Sequence, residues 1–220
     1  MEPVSVSSVI TASFCPLRLY LERSLATEES ARYTICKQIS YHLGGSLDAD
    51  AIWSEVLAVT PGIDAAMRLF LDDCIEKCRQ REWPSPSETD VAVISERLGI
   101  RGMVDKISDR EPYFALTRSS EAPPAGIYAR DRIRVACYAA CVQETLGLPA
   151  EGGYIEYVPS GVLRLCKPEP RDRREMLKAI RAARRVAAGE IPRRPLNAPC
   201  DTCPHEDRCL STGRKLSDML

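Results

Sequence analysis

The feature that most constrains this chain is a tight group of cysteines, Cys200-Asp201-Thr202-Cys203-Pro204-His205-Glu206-Asp207-Arg208-Cys209. A Cys-x2-Cys step lets two thiolates converge on one centre, and a third at Cys-x2-Cys-x5-Cys spacing adds another soft ligand. Three thiolates leave one ligand to be supplied from elsewhere, and two residues qualify. Cys15, in Phe14-Cys15-Pro16-Leu17, follows a helix break and precedes proline, a turn that exposes the thiol. His205 lies inside the group itself. If Cys15 is the fourth ligand, residues 15 and 200 must meet, and both ends of the chain close on one site. By analogy with a disulfide, closing so long a loop is worth about 4–5 kcal/mol of denatured-state entropy.

The chain has ten cysteines, and the other six read differently. Cys74 and Cys78 share the apolar stripe of one predicted helix. Cys137 and Cys141 share another with Ile133 and Ala140, and Cys36 and Cys166 fall in apolar surroundings. Cysteine behaves as a small buried hydrophobe, so packing is expected for all six. The opening Met1-Glu2-Pro3-Val4-Ser5 leads into no basic start, signal-length apolar run or small-residue cleavage site. The expectation is a cytoplasmic protein, where clustered thiols bind metals rather than form disulfides. No apolar run approaches the roughly 18–20 residues of a membrane span, so no membrane partner is expected. With 45% hydrophobic and 28% charged residues, the composition excludes a disordered tail, a collagen or a coiled coil.

Periodicity predicts helices over 4–23 (broken at Cys15-Pro16), 31–43 and 62–80, stopped by Trp83-Pro84-Ser85-Pro86-Ser87. Short strand-like runs follow at 91–94, 102–107 and 113–117. A helix over about 129–146 ends at Gly147. A hairpin over 153–158 and 161–166 turns at Pro159-Ser160-Gly161, and a last helix over about 171–188 ends at Gly189. Pro192, Pro195 and Pro199 stiffen the path into the cysteine group, and no internal repeat is present. This order predicts an α/β (α+β) fold with a helical N-terminal part. One domain over 1–220 is expected, with 1–23 and 195–212 jointly forming the cysteine subregion.

With these motifs in order, the chain resembles the CRISPR-associated exonucleases, RecB-like members of the PD-(D/E)XK nuclease superfamily. Phe14-Cys15-Pro16-Leu17-Arg18-Leu19-Tyr20 and the terminal Cys-x2-Cys-Pro-x4-Cys carry the resemblance at the two ends. Arg97–Ile107 is similar to the family's strand-turn-strand around a metal-binding aspartate. Asp131–Tyr138 with Glu144–Gly147 resembles the helix after its active site, and Gly153–Tyr157 its next strand. The resemblance spans about residues 5–210. It implies a mixed sheet flanked by helices and a [4Fe-4S] cluster on Cys15, Cys200, Cys203 and Cys209, with zinc as a minor alternative. It also implies Mg²⁺ or Mn²⁺ at Asp105, with His42 from the N-terminal helices as a further ligand. The implied substrate is DNA, single-stranded or end-containing, handled with other CRISPR adaptation proteins.

The sequence departs from that pattern where catalysis is centred. Hard divalent cations need oxygen ligands, and the family supplies a glutamate and then a lysine on the strand after Asp105. Here Leu116 and Arg118 stand at those positions, and Arg134 stands where a glutamine is expected, while Tyr138 is kept. Leucine binds no metal. Arginine stays protonated and binds phosphate instead. Arg118, Arg134 and Tyr138 are therefore expected as phosphate or substrate contacts, with nuclease activity lost or reduced. An active exonuclease would need a relocated carboxylate, for which Glu55, Glu111, Glu121 and Asp131 are candidates. A third expectation, of another class, is a cluster-stapled interaction protein without a nucleic-acid role.

Charge is segregated. Over 171–194, nine Arg or Lys face three Asp or Glu, a balance of +6, so the rest of a chain of net charge −1 carries −7. Such a basic helix is either a phosphate-backbone contact or a solvated face.

Overall fold

A computed structural model describes residues 2–25, 29–196 and 198–213. A short strand β1 (Val4–Ser5) runs into α1 (Val6–Phe14), where the Ser5 hydroxyl accepts the Ser8 N–H. Cys15 ends α1 and caps α2 (Pro16–Glu22), its Sγ accepting the Arg18 N–H at 3.4 Å. Pro16 sits at the helix start, where its missing N–H costs nothing. Helices α3 (Ala31–His42), α4 (Ala49–Val59) and α5 (Met67–Arg79) follow. The expected helix over 62–80 is thus shorter, and α4 precedes it unannounced. Its signals were in the sequence: Asp48 caps the Asp50 and Ala51 N–H groups, and Ile52 and Val56 form the buried face.

Strands β2 (Glu88–Ser95), β3 (Ile100–Ile107) and β4 (Phe114–Arg118) precede the long helix α6 (Ala129–Leu146), which ends at Gly147 in the left-handed conformation. β5 (Gly153–Tyr157) and β6 (Val162–Cys166) form the hairpin, joined by a 3-10 turn over Val158–Ser160. α7 (Pro170–Ala187) and α8 (Glu206–Gly213) complete eight α-helices among the described residues. The fold is α/β: a six-stranded mixed sheet in the order β1-β3-β4-β5-β6, with β2 paired to β3. β1–β3 and β4–β5 are parallel, and the other pairs are antiparallel. No described helix is long and apolar enough to cross a membrane.

Helices cover both faces. One core gathers Val9, Ile10, Leu116, Val135, Cys137, Cys141, Ile155 and Met176, from α1, α6, α7 and the sheet. The other gathers Ile35, Cys36, Ile39, Ile52, Leu71, Cys74, Cys78 and Trp83, from α3 to α5 and the chain beyond. Cys36, Cys74, Cys78, Cys137, Cys141 and Cys166 are all fully buried in an apolar interior.

α7 packs Met176, Ala179, Ile180, Ala183 and Val186 inward and turns Arg171, Arg173, Arg174, Lys178, Arg181 and Arg185 to solvent. Its start is tied down by Asp172, whose Oδ2 accepts the Glu169 N–H at 2.7 Å and Arg132 Nη2 at 2.7 Å. Burial alone would raise the Asp172 pKa, but Arg132 and the Glu169 N–H outweigh it and hold the carboxyl below its usual range. A depressed carboxyl stabilises the fold above its unfolded pKa, about 4, and loses that contribution as pH falls through the folded value. Asp172→Asn should therefore cost about 1–2 kcal/mol at neutral pH. The gap to wild type should close in acid, as read by denaturant melts between neutral pH and pH 3.

Candidate nucleic-acid site and cysteine cavity

β3 has β2 along one edge. On the other edge it pairs with β1 at Ile100 and Arg101, and with β4 only at Lys106 and Ile107. Between those contacts residues 102–105 leave the edge open, and β4 diverges from β3 beyond Ala115. Asp105 sits at this opening. Its Oδ2 accepts the Thr117 N–H at 2.8 Å, a donor that the splayed ladder leaves without a strand partner. Tyr138 of α6 packs over Gly102 next door, where any side chain would strike its ring.

The group facing Asp105 is Lys37 of α3. Its ammonium donates to Asp105 Oδ1 and lies 2.5 Å from Asp90 Oδ1. Asp90 stands opposite Asp105, since Thr89 pairs with Lys106 and Val91 with Val104. Asp90 adopts φ +54°, a left-handed conformation that aspartate tolerates better than most residues, and Tyr41 Oη donates to its Oδ2. Burial works against the charge of Lys37, but Asp105 and Asp90 outweigh it and raise its pKa above the ordinary lysine range. One fixed ammonium therefore lies between two carboxylates across a strand pair.

The strand after Asp105 holds no further acid. Leu116 is 2% exposed and turned into the core against α6. Arg118 Nε lies 3.1 Å from Asp131 Oδ1, and Arg134 Nη1 donates to the same oxygen at 2.7 Å. Tyr157 Oη donates to Asp131 Oδ2 at 3.0 Å. Burial, then the neighbouring Arg118, pushes Arg134 down to about 10. The Tyr138 hydroxyl is pushed up by burial and then by Asp105.

Below the opening lies a closed polar network. Lys106 Nζ donates to Glu156 Oε1 at 2.9 Å, with the two side chains 2% and 0% exposed. Ser40 Oγ meets Glu156 Oε2 at 3.0 Å and Thr117 Oγ1 at 2.7 Å. Burial drives the Lys106 pKa down against the pull of Glu156.

His42 does not join Asp105. It ends α3 with its ring on Glu55 of α4, Nε2 to Oε2 2.9 Å, so Lys37 and Tyr41 are the α3 residues at the acid pair. The proposed substitute carboxylates also have other partners. Glu55 holds His42, Glu111 lies 3.5 Å from Lys167, Glu121 accepts from Ser160, and Asp131 belongs to the arginines. Asp90 was missed, although a signal for it existed. The short turn around Arg97 and Leu98 fixes the hairpin register, and residues 90 and 105 are equidistant from it.

Near the start of α6, the turn at Cys15 meets the segment around residues 200–209. Cys15, Cys200, Cys203 and Cys209 line one cavity of about 350 Å³ with Phe14, Arg18, Leu21, Arg130, Arg194, Ala198, Pro199 and Glu206. The Cys209 thiol is pushed up by burial first, then by Cys15, with Arg194 opposing. His205, the local alternative ligand, turns to Glu22 instead, Nε2 to Oε1 3.1 Å. Among the described residues no group of three or more His, Cys, Asp or Glu stands ready to hold a metal ion. The donor chemistry of the cavity nevertheless fits a thiolate-bound cluster. All four thiols line this cavity together with apolar side chains and three guanidiniums, soft donors with cations beside them. One of them, Arg130, has a buried Nε with no partner.

No protein-family model and no curated protein matches this chain.

The polar network gives a direct test of how α3 is held. Glu156→Gln leaves the Lys106 charge buried and uncompensated, and should cost about 3–5 kcal/mol by denaturant unfolding. The double change Lys106→Met with Glu156→Leu should recover most of that loss.

Proposed function

We propose that this chain is a DNA-binding relative of the CRISPR-associated exonucleases, acting on DNA ends or spacer precursors in CRISPR adaptation without cutting them. The observation that carries this is the Lys37 ammonium between Asp90 and Asp105. In a metal-dependent nuclease a divalent cation would occupy such a place, offset phosphate charge and lower the pKa of water. Here a tethered monovalent cation fills it, Leu116 withholds the second strand ligand, and Arg118 cannot take a proton. What remains suits a phosphodiester chain: Arg118 and Arg134 lie together on Asp131, and Arg130 lines the cysteine cavity. The outer face of α7 adds Arg173, Arg174 and Arg181, which carry no ion pair among the described residues.

In this proposal Cys15, Cys200, Cys203 and Cys209 hold a [4Fe-4S] cluster that ties α2 to the segment around residues 200–209. The supporting features are the four thiols on one cavity and the Arg18, Arg130 and Arg194 guanidiniums beside them. The cluster's role here is structural.

A second function is favoured by the register of Asp90 with Asp105: a Mg²⁺- or Mn²⁺-dependent single-stranded DNA exonuclease in which these two carboxylates take the metal and Lys37 moves aside. One assay separates the two. Purified protein with Mn²⁺ and single-stranded DNA should bind, with affinity falling steeply as salt rises, and should leave the DNA intact. Cleavage abolished by Asp105→Ala or Asp90→Ala would overturn the non-cutting proposal. Purified protein should also be brown, with broad absorption near about 400 nm that Cys15→Ser removes. A colourless protein carrying zinc would replace the cluster assignment.

A further inference from the structure

The arginines at the end of β4 outnumber the acid that holds them. Asp131 is 1% exposed and fully used: Oδ1 takes Arg134 and faces Arg118, and Oδ2 takes Tyr157. Arg118 Nε is buried and makes no hydrogen bond, even with Asp131 Oδ1 at 3.1 Å. Ser120 Oγ, two residues on, is also buried without a partner, as is Arg130 Nε beside Asp131 in the chain. Arg118 and Arg130 both lie close enough to destabilise the charge of Arg134. Arg118 and Arg134 against one carboxylate leave a surplus of one positive charge, and Arg130 adds a second close by. Unpaired buried donors and surplus buried charge are both costly unless something answers them. Access is open, because the Arg118 and Arg134 side chains keep 19% and 18% of their surface.

We propose that the end of β4 and the first turns of α6 form a binding site for a phosphate monoester dianion, held by Arg118 and Arg134 with Ser120 donating. A dianion matches the surplus charge, and a tetrahedral phosphate offers oxygens to several N–H forks at once. Its source is either the terminal phosphate of a nucleic-acid strand or a free phosphate. The strand-end source rests on the DNA-binding function proposed above; the phosphate site itself does not.

The test uses the full chain. Thermal melting compares inorganic phosphate with chloride at equal ionic strength, and binding compares oligonucleotides ending in a 5′-phosphate, a 3′-phosphate or a hydroxyl. Phosphate should raise the Tm, and one terminal phosphate should tighten oligonucleotide binding about tenfold over the hydroxyl end. Arg118→Gln should abolish both responses. It leaves Asp131 paired to Arg134 and Tyr157, so its Tm in chloride should match or exceed that of wild type. Ser120→Ala, a smaller change, should weaken both responses and covers the case in which Arg118→Gln misfolds. A phosphate response without oligonucleotide binding supports the site and assigns it to free phosphate, at the expense of the DNA-binding proposal. Oligonucleotide binding with no preference for a phosphate end and no phosphate-induced shift overturns the site and leaves DNA binding standing. An Arg118→Gln protein that melts lower yet keeps the wild-type phosphate response would make Arg118 merely structural and overturn the site as well.

Discussion

The buried pair Lys106–Glu156 is the constraint on which the rest of this structure depends. It joins β3 to β5 beneath the sheet opening, and through Ser40 and Thr117 it draws in α3 and β4. An ion pair this deep adds little net stability, since the desolvation of both charges offsets their attraction. Its effect is on registration: as α3 docks through its apolar face, Ser40 is brought onto Glu156. Lys37 lies about one turn earlier on α3, so the same docking delivers its ammonium to Asp105 and Asp90.

Two cation-filled or cation-rich places then lie along α6, and they differ in kind. At the sheet opening, two carboxylates meet one ammonium, so the local charge is negative and a cation is already supplied. At the start of α6, one carboxylate meets two guanidiniums with Arg130 close by, so the local charge is positive. A metal-dependent nuclease works by putting strong positive charge on the acid pair. In this chain the excess positive charge lies about a helix turn or two away, on arginines, which stay protonated and cannot activate water.

The element order was legible because its signals are local. The breaks at Cys15-Pro16, Gly147 and Gly189 each act within a turn or so, and α6 and the hairpin fell almost where their patterns put them. α4 escaped notice although it carries both a cap and a buried stripe. The site was legible only in part. Asp105 was singled out by the family resemblance alone, and the inability of Leu116 to ligate could be read from residue type. That His42 would turn to Glu55, that Asp90 would face Asp105 and that Lys37 would lie between them could not.

By itself, the sequence determined the α/β class and the order of the elements it announced, the division of the cysteines into four near the chain ends and six for packing, and the basic outer face of α7. Each follows from spacing within one or two helical turns, a scale on which side-chain chemistry and backbone geometry are fixed together. The tertiary structure decided which charge answers which. Residue 37 meets residues 90 and 105, and residue 131 takes up residues 118 and 134, through strand register and helix docking across long stretches of chain. Those pairings depend on where a closed core leaves each side chain, and no local pattern encodes that.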